Sequence, residues 1–98
     1  MKVELLYFED CPNWQTVDRR LRELATERGF ELQHRLVATP EEARAAGFRG
    51  SPTILVDGRD PFAGGEEPFG LSCRMYRTPE GPAGSPTVDQ LRTALASS

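Results

Sequence analysis

Val3, Leu5, Leu6, Tyr7 and Phe8 make a short, nearly continuous apolar run. That pattern predicts a strand over residues 2–8, covered on both faces as at the centre of a sheet. From Trp14 the apolar spacing lengthens to three and four: Trp14, Val17, Leu21 and Leu24 form one stripe, and Asp18, Arg19, Arg22 and Glu23 the other side. This predicts a helix that packs on a core and ends at Gly29. Phe30, Leu32, His34 and Leu36 then alternate with Glu31, Gln33 and Arg35, the period of a strand with one wet face. Thr39-Pro40-Glu41-Glu42 reads as a capping box with proline at the first helical position, opening a short helix that Gly47 stops.

Thr53-Ile54-Leu55-Val56 favours a third strand, and Asp57-Gly58 a hairpin turn. Residues 59–70 carry Pro61, Gly64, Gly65, Pro68 and Gly70 and read as an irregular loop. Leu71, Cys73 and Met75 alternate with Ser72, Arg74 and Tyr76, predicting a fourth strand with the first three side chains on a buried face. A second loop runs from Thr78 to Pro86. Val88, Leu91 and Leu95 mark a last helix, capped either by Ser85 with Pro86 or by Thr87 paired with Gln90. The order is β-α-β-α-β-β-α. A helix between the first two strands favours a parallel crossover, and the Asp57-Gly58 turn an antiparallel last pair. The expected fold is α/β: a four-stranded mixed sheet with helices on both faces.

Composition narrows the function more than the fold. The 98 residues suit one domain spanning 1–98, and 28% are charged. Net charge is −3 with a pI near 5.1, and the short Arg19-Arg20-x-Arg22 group fits a solvated helix face, so no nucleic-acid partner is expected. No apolar run approaches the ~20 residues that span a membrane. Glu4, Glu9 and Asp10 interrupt the N-terminus where a signal segment would be apolar, so a cytoplasmic location is expected. Two cysteines in that setting do not suggest a disulfide framework. With His34 as the one histidine, no zinc-ligand spacing appears. His34 lies on an alternating strand away from any candidate chemistry and reads as structural, and Glu66-Glu67 as a solvated loop.

The candidate chemistry sits at Cys11-Pro12, where the first strand hands over to the first helix. With Pro12 at the first helical position, Cys11 is the expected N-cap. Its sulfur would face the free N–H groups of Asn13 and Trp14 at the positive end of the helix, which favours the reactive thiolate. Asp10 opposes that, and no Lys or Arg is adjacent to offset it. The alternative for Cys11 is a small buried apolar side chain. Trp14 fits the core stripe, or a lid over the thiol, and Tyr7 either lines the site or belongs to the core.

Cys11-Pro12 at a strand end, with Ser51-Pro52-Thr53 opening the third strand, resembles the thioredoxin-like superfamily, and Cys-Pro in particular resembles glutaredoxins. Val56-Asp57-Gly58 followed by Phe62-Ala63-Gly64-Gly65 is similar to the glutaredoxin segment in which a hairpin leads to a Gly-Gly pair. The resemblance implies a cis peptide before Pro52, and a substrate peptide or glutathione bound by Pro12, Asn13, Trp14, Ser51, Pro52 and Thr53. It implies exchange between Cys11 and a protein disulfide or a small-thiol mixed disulfide, with no cofactor beyond glutathione or another small thiol as co-substrate.

Trp14 stands where a second cysteine would complete Cys-x-x-Cys and resolve the mixed disulfide. Three completions remain. Cys11 works as a monothiol, Cys73 resolves, or the fold is a non-catalytic binding module. A further alternative, by chemical analogy with organomercurial lyases, has Asp10, Cys11 and Cys73 handling a soft metal such as Hg(II) or Cu(I). A disulfide needs Cα atoms within ~7 Å, and a regular fourth strand beside the third would bring its C-terminal end, not Cys73, nearest Ser51-Pro52.

Overall fold

The computed structural model describes residues 1–63 and 70–96. Gly64, Gly65, Glu66 and Glu67 lie outside the described residues, and with them the Gly-Gly pair of the segment that resembles glutaredoxins.

Three strands form a mixed sheet: β1 (Lys2–Tyr7), β2 (Glu31–Leu36) and β3 (Thr53–Val56), in the order β2-β1-β3. The apolar first run is central, as its pattern requires. β2 pairs with it in parallel, Lys2 opposite Glu31 through Tyr7 opposite Leu36, and β3 pairs antiparallel, Val3 opposite Val56. The parallel pair is joined by helix α1 (Asn13–Arg28), because parallel neighbours need a crossover.

The strand period divides the core into two layers. Val3, Leu5, Ile54 and Val56 point to one face, where Val17, Leu21 and Leu24 of α1 and Leu91 and Leu95 of helix α3 (Val88–Ala96) cover them. Leu6 and Leu55 point to the other, against Ala43 of helix α2 (Pro40–Ala46), Val37 and Phe48. Helices thus lie on both faces. β2 is an edge strand, and Leu36 remains 45% exposed near its end.

The N-caps of α2 and α3 and the end of α1 follow the sequence closely. Thr39 accepts the Glu42 N–H at 3.1 Å. For α3 the Thr87 alternative is the one adopted: Thr87 Oγ1 accepts the Gln90 N–H at 3.1 Å and Gln90 Oε1 accepts the Thr87 N–H at 2.9 Å, a reciprocal capping box. Gly29, in the left-handed region at φ 75°, ends α1.

The second half of the sheet departs from expectation. Asp57 and Gly58 both have positive φ, as a tight hairpin turn requires. The return strand then stops after one bridge, Val56 to Arg59, and Pro61 comes next but one, which cannot donate to a ladder. No fourth strand joins the three-stranded sheet among the described residues. Instead β4 (Tyr76–Thr78) and β5 (Gly81–Ala83) form a separate antiparallel ribbon. The Gln90 side-chain amide ties it to α3 by donating to Arg77 C=O at 2.7 Å. No helix among the described residues is long and apolar enough to cross a membrane.

Candidate active site

Helix α1 begins one residue later than its sequence suggests. Pro12, not Cys11, occupies the cap, with helical dihedrals and no side-chain cap bond. Cys11 therefore belongs to the turn leaving β1, where its N–H donates to Phe8 C=O at 3.3 Å. It is fully buried. Its sulfur lies 3.5 Å from the carbonyl oxygen of Ser51, an acceptor that suits a protonated thiol better than a thiolate.

Cys11 is joined to Cys73 in a disulfide across 62 residues, with Cα atoms 5.8 Å apart. The geometry that was expected to keep them apart does not arise, because residues 71–75 are not a regular strand beside β3. Cys73 instead meets Ser51 directly, in an isolated parallel bridge. The Ser51 N–H donates to Ser72 C=O at 2.7 Å, and Ser51 C=O accepts the Arg74 N–H at 2.9 Å. These two bonds flank Cys73 and set it over Cys11.

Gly50 makes the approach possible. Its φ is +105°, and a Cβ there would fall 3.0 Å from Arg74 Cβ and 3.1 Å from Ser72 O. Only glycine accepts both that conformation and that contact.

The burial phase of residues 71–76 is the reverse of the sequence expectation. Leu71 is 37% and Met75 63% exposed, and Cys73 is exposed with them. Arg74 and Tyr76 are the buried pair. Arg74 Nη1 donates to Asp60 Oδ2 at 2.7 Å and Nη2 to Asp60 Oδ1 at 3.4 Å, a two-pronged ion pair with both side chains under a tenth exposed. The guanidinium lies 4.6 Å from the Tyr76 ring centroid, a cation–π contact. The Tyr76 hydroxyl donates to Pro52 C=O, and Phe62 meets its ring edge-on at 5.3 Å. Tyr76 thus fastens the Cys73 segment to Pro52 at the start of β3, and Arg74 fastens it to Asp60, beyond the end of that strand. Sequence reading passes over them because Leu71, Cys73 and Met75 supply the more apolar phase. The contrary signal, an aromatic in step with an arginine whose stem can be buried, is weak by itself.

The remaining candidate residues divide in two. Ser51, Pro52 and Thr53 are buried and engaged within the chain. The Ser51–Pro52 peptide is cis, and Thr53 Oγ1 donates to Gly50 C=O at 2.6 Å while accepting the Arg49 N–H at 3.2 Å. Pro12 is exposed, and the Asn13 amide packs so close to Gly84 that a Cβ there would collide with it. Trp14 packs on the α1 side of the core and stacks on Tyr7, ring centroids 4.2 Å apart. His34 pairs with Asp18 on the α1 side of β2, away from the cysteines. Among the described residues no group of three or more His, Cys, Asp or Glu is arranged to hold a metal ion.

A cleft of about 900 Å³ opens between Arg59–Phe62, Pro79, Glu80 and the first turns of α3, but neither cysteine lines it. Searches against protein-family models, curated proteins and solved structures each return no match.

Proposed function

We propose that this chain is a single-domain thiol–disulfide oxidoreductase of the thioredoxin-like class, with Cys11 and Cys73 as its redox couple. The observation that carries the reading is their pairing across the sheet end, directly beside Ser51-Pro52. A second cysteine in Cys-x-x-Cys is then unnecessary, because Cys73 supplies the second sulfur of the couple. The reduced pair reduces a protein disulfide or a small-thiol mixed disulfide and closes to the intramolecular disulfide. Glutathione or another small thiol reopens it. The three-stranded sheet with helices on both faces supplies the strand-to-helix turn that such a site uses, the fourth strand being replaced by the irregular Cys73 segment. A cytoplasmic setting belongs to the same reading, since disulfides there are chiefly catalytic or redox-sensing.

Equilibration in glutathione redox buffers tests it. A working couple is expected to titrate between about −270 and −120 mV, the range of known exchange proteins, whereas a potential below about −300 mV would mark a structural crosslink and sink the proposal.

The same proximity favours a second reading. Once reduced, two adjacent thiols suit a two-coordinate soft cation such as Hg(II) or Cu(I). Asp10 is exposed and joins no three-ligand group with them among the described residues, so this reading rests on the sulfurs alone. Mercury(II) titration of the reduced protein followed by sulfur-to-metal absorption tests it, and stoichiometric binding that survives Cys73→Ser would exclude it.

A further inference from the structure

We propose that thiols from outside the chain exchange at Cys73, and that Cys11 is the buried leaving and resolving sulfur. This rests on the redox couple proposed above and assigns the two halves of its cycle.

Access decides which sulfur of a disulfide is attacked. Cys11 is fully buried, beneath the bond, whereas Cys73 is exposed between exposed Ser72 and buried Arg74, with Leu71 and Met75 also at the surface. A nucleophile arrives opposite the sulfur it displaces. An incoming thiolate therefore reaches Cys73 Sγ from the solvent side with Cys11 as the group behind it. Cys11, fully buried, offers an incoming thiol no comparable approach.

The step balances without any further reactant. The external thiolate forms a bond to Cys73 Sγ, the Cys11–Cys73 bond breaks, and its electron pair leaves on Cys11 sulfur. Cys11 takes a proton from solvent and donates it in a hydrogen bond to Ser51 C=O, already 3.5 Å away. A second external thiolate then attacks the mixed disulfide, leaves as the external disulfide and frees Cys73. In the reducing direction, Cys73 thiolate attacks the substrate disulfide and expels one substrate sulfur as a thiolate. Cys11 then gives up its proton, attacks Cys73 Sγ and displaces the second substrate sulfur, re-forming the internal bond while the expelled sulfurs take up protons as thiols.

The seating of Cys73 does not depend on the disulfide alone. The two Ser51 backbone bonds, the Arg74–Asp60 pair and the Tyr76–Pro52 bond hold the segment from either side of Cys73. Cys11 therefore keeps its partner within reach after the bond opens, as a resolving thiol must. The sequence motif Cys11-Pro12 then marks the resolving thiol rather than the attacking one.

The test begins with oxidised wild-type protein mixed with excess reduced glutathione, quenched in acid at successive times, digested and mapped by mass spectrometry. Glutathione is expected on the Cys73 peptide with Cys11 free; glutathione on Cys11, or divided evenly, overturns the assignment. Cys11→Ser and Cys73→Ser, each with native circular dichroism, put the same question to the reduced chain, using glutathione disulfide. C11S, which keeps Cys73, is expected to be glutathionylated at least roughly tenfold faster than C73S, since exposure governs exchange rate. Equal or reversed rates overturn it. A wild-type disulfide that stays intact in excess glutathione would overturn the redox couple itself, a result distinct from exchange at the wrong sulfur.

Discussion

The two cysteines are held by opposite kinds of structure. Cys11 lies where regular elements meet, six residues of central strand on one side and sixteen of helix on the other. Short-range pattern places it there. Cys73 lies in an irregular stretch whose regular pairing among the described residues is one bridge to Ser51, and long-range bonds place it: Ser51 at a distance of more than twenty residues, Asp60 fourteen residues away through Arg74, Pro52 twenty-four away through Tyr76. A regular element tolerates the loss of one contact because its neighbours repeat it. The Cys73 segment has no such redundancy, so its position should fail piece by piece.

The largest effect is expected at the ion pair. Asp60→Ala removes the carboxylate that receives both terminal nitrogens of a buried arginine, and breaking such a pair costs about 3–5 kcal/mol. Urea denaturation should show that loss. Combining Asp60→Ala with Arg74→Met should restore most of it, because no buried charge is then left uncompensated. A loss below about 1 kcal/mol would mean that the pair behaves as a surface bridge and that something else seats Cys73.

Reduction of the disulfide comes next. It frees a loop of 62 residues, and the chain-entropy account assigns such a crosslink up to about 4 kcal/mol. At roughly 4–8 °C per kcal/mol for a domain of this size, the reduced protein should melt lower by up to about 16–32 °C. If the melting temperature barely moves, the long-range bonds around Cys73 suffice alone, and the disulfide serves chemistry without serving stability.

These contrasts explain what the sequence discloses. The central strand, the α1 stripe, the Thr39 and Thr87–Gln90 caps and the layered core are set by periods of two and three-to-four and by local hydrogen bonds, all readable within a dozen residues. The Asp57-Gly58 turn is equally local and forms as read. Beyond that turn, structure ceases to be local. Pro61 ends the return strand, and the choice between the Leu71-Cys73-Met75 phase and the Arg74-Tyr76 phase depends on Asp60, Pro52 and Phe62, which no window around residue 73 contains. The N-cap shift from Cys11 to Pro12 is a one-residue difference of the kind helix ends commonly show, yet it turns the sulfur from the helix N–H groups toward Ser51 C=O. Ser51 is legible as a site residue by resemblance, but its backbone bonds to residues 72 and 74 are not.

Glycine substitutions sharpen the comparison at smaller cost. Gly50 and Gly29 both have positive φ, +105° and +75°, but a Cβ at Gly50 would press on Arg74 and Ser72 while one at Gly29 meets nothing within 4 Å. Gly50→Ala should cost about 1–3 kcal/mol and also speed reduction of the disulfide by glutathione, because the 72–74 segment must shift. Gly29→Ala should cost about 1–2 kcal/mol, the penalty of a Cβ in the left-handed region, and leave the reduction rate unchanged. Equal reduction rates in the two variants would show that the close approach at Gly50 does not govern the seating of Cys73.

The smallest effect tests the Cys11 side. Trp14 stacks on Tyr7 and packs into the α1 layer of the core, so its expected role is to fix the start of the helix. The Tyr7–Trp14 coupling should be about 0.5–1.5 kcal/mol in a double-mutant cycle of Tyr7→Leu and Trp14→Leu, the usual worth of an aromatic pair. Thiol exchange separates this role from that of a lid. With entry through exposed Cys73 rather than through the helix start, Trp14→Leu should lower stability while glutathione reduces the disulfide at the wild-type rate per folded molecule. A reduction rate raised about tenfold with the coupling intact would make Trp14 the barrier to the site after all. It would also move the point of entry back toward Cys11, because a side chain on the first turn of α1 can shield only the sulfur at its own end of the bond.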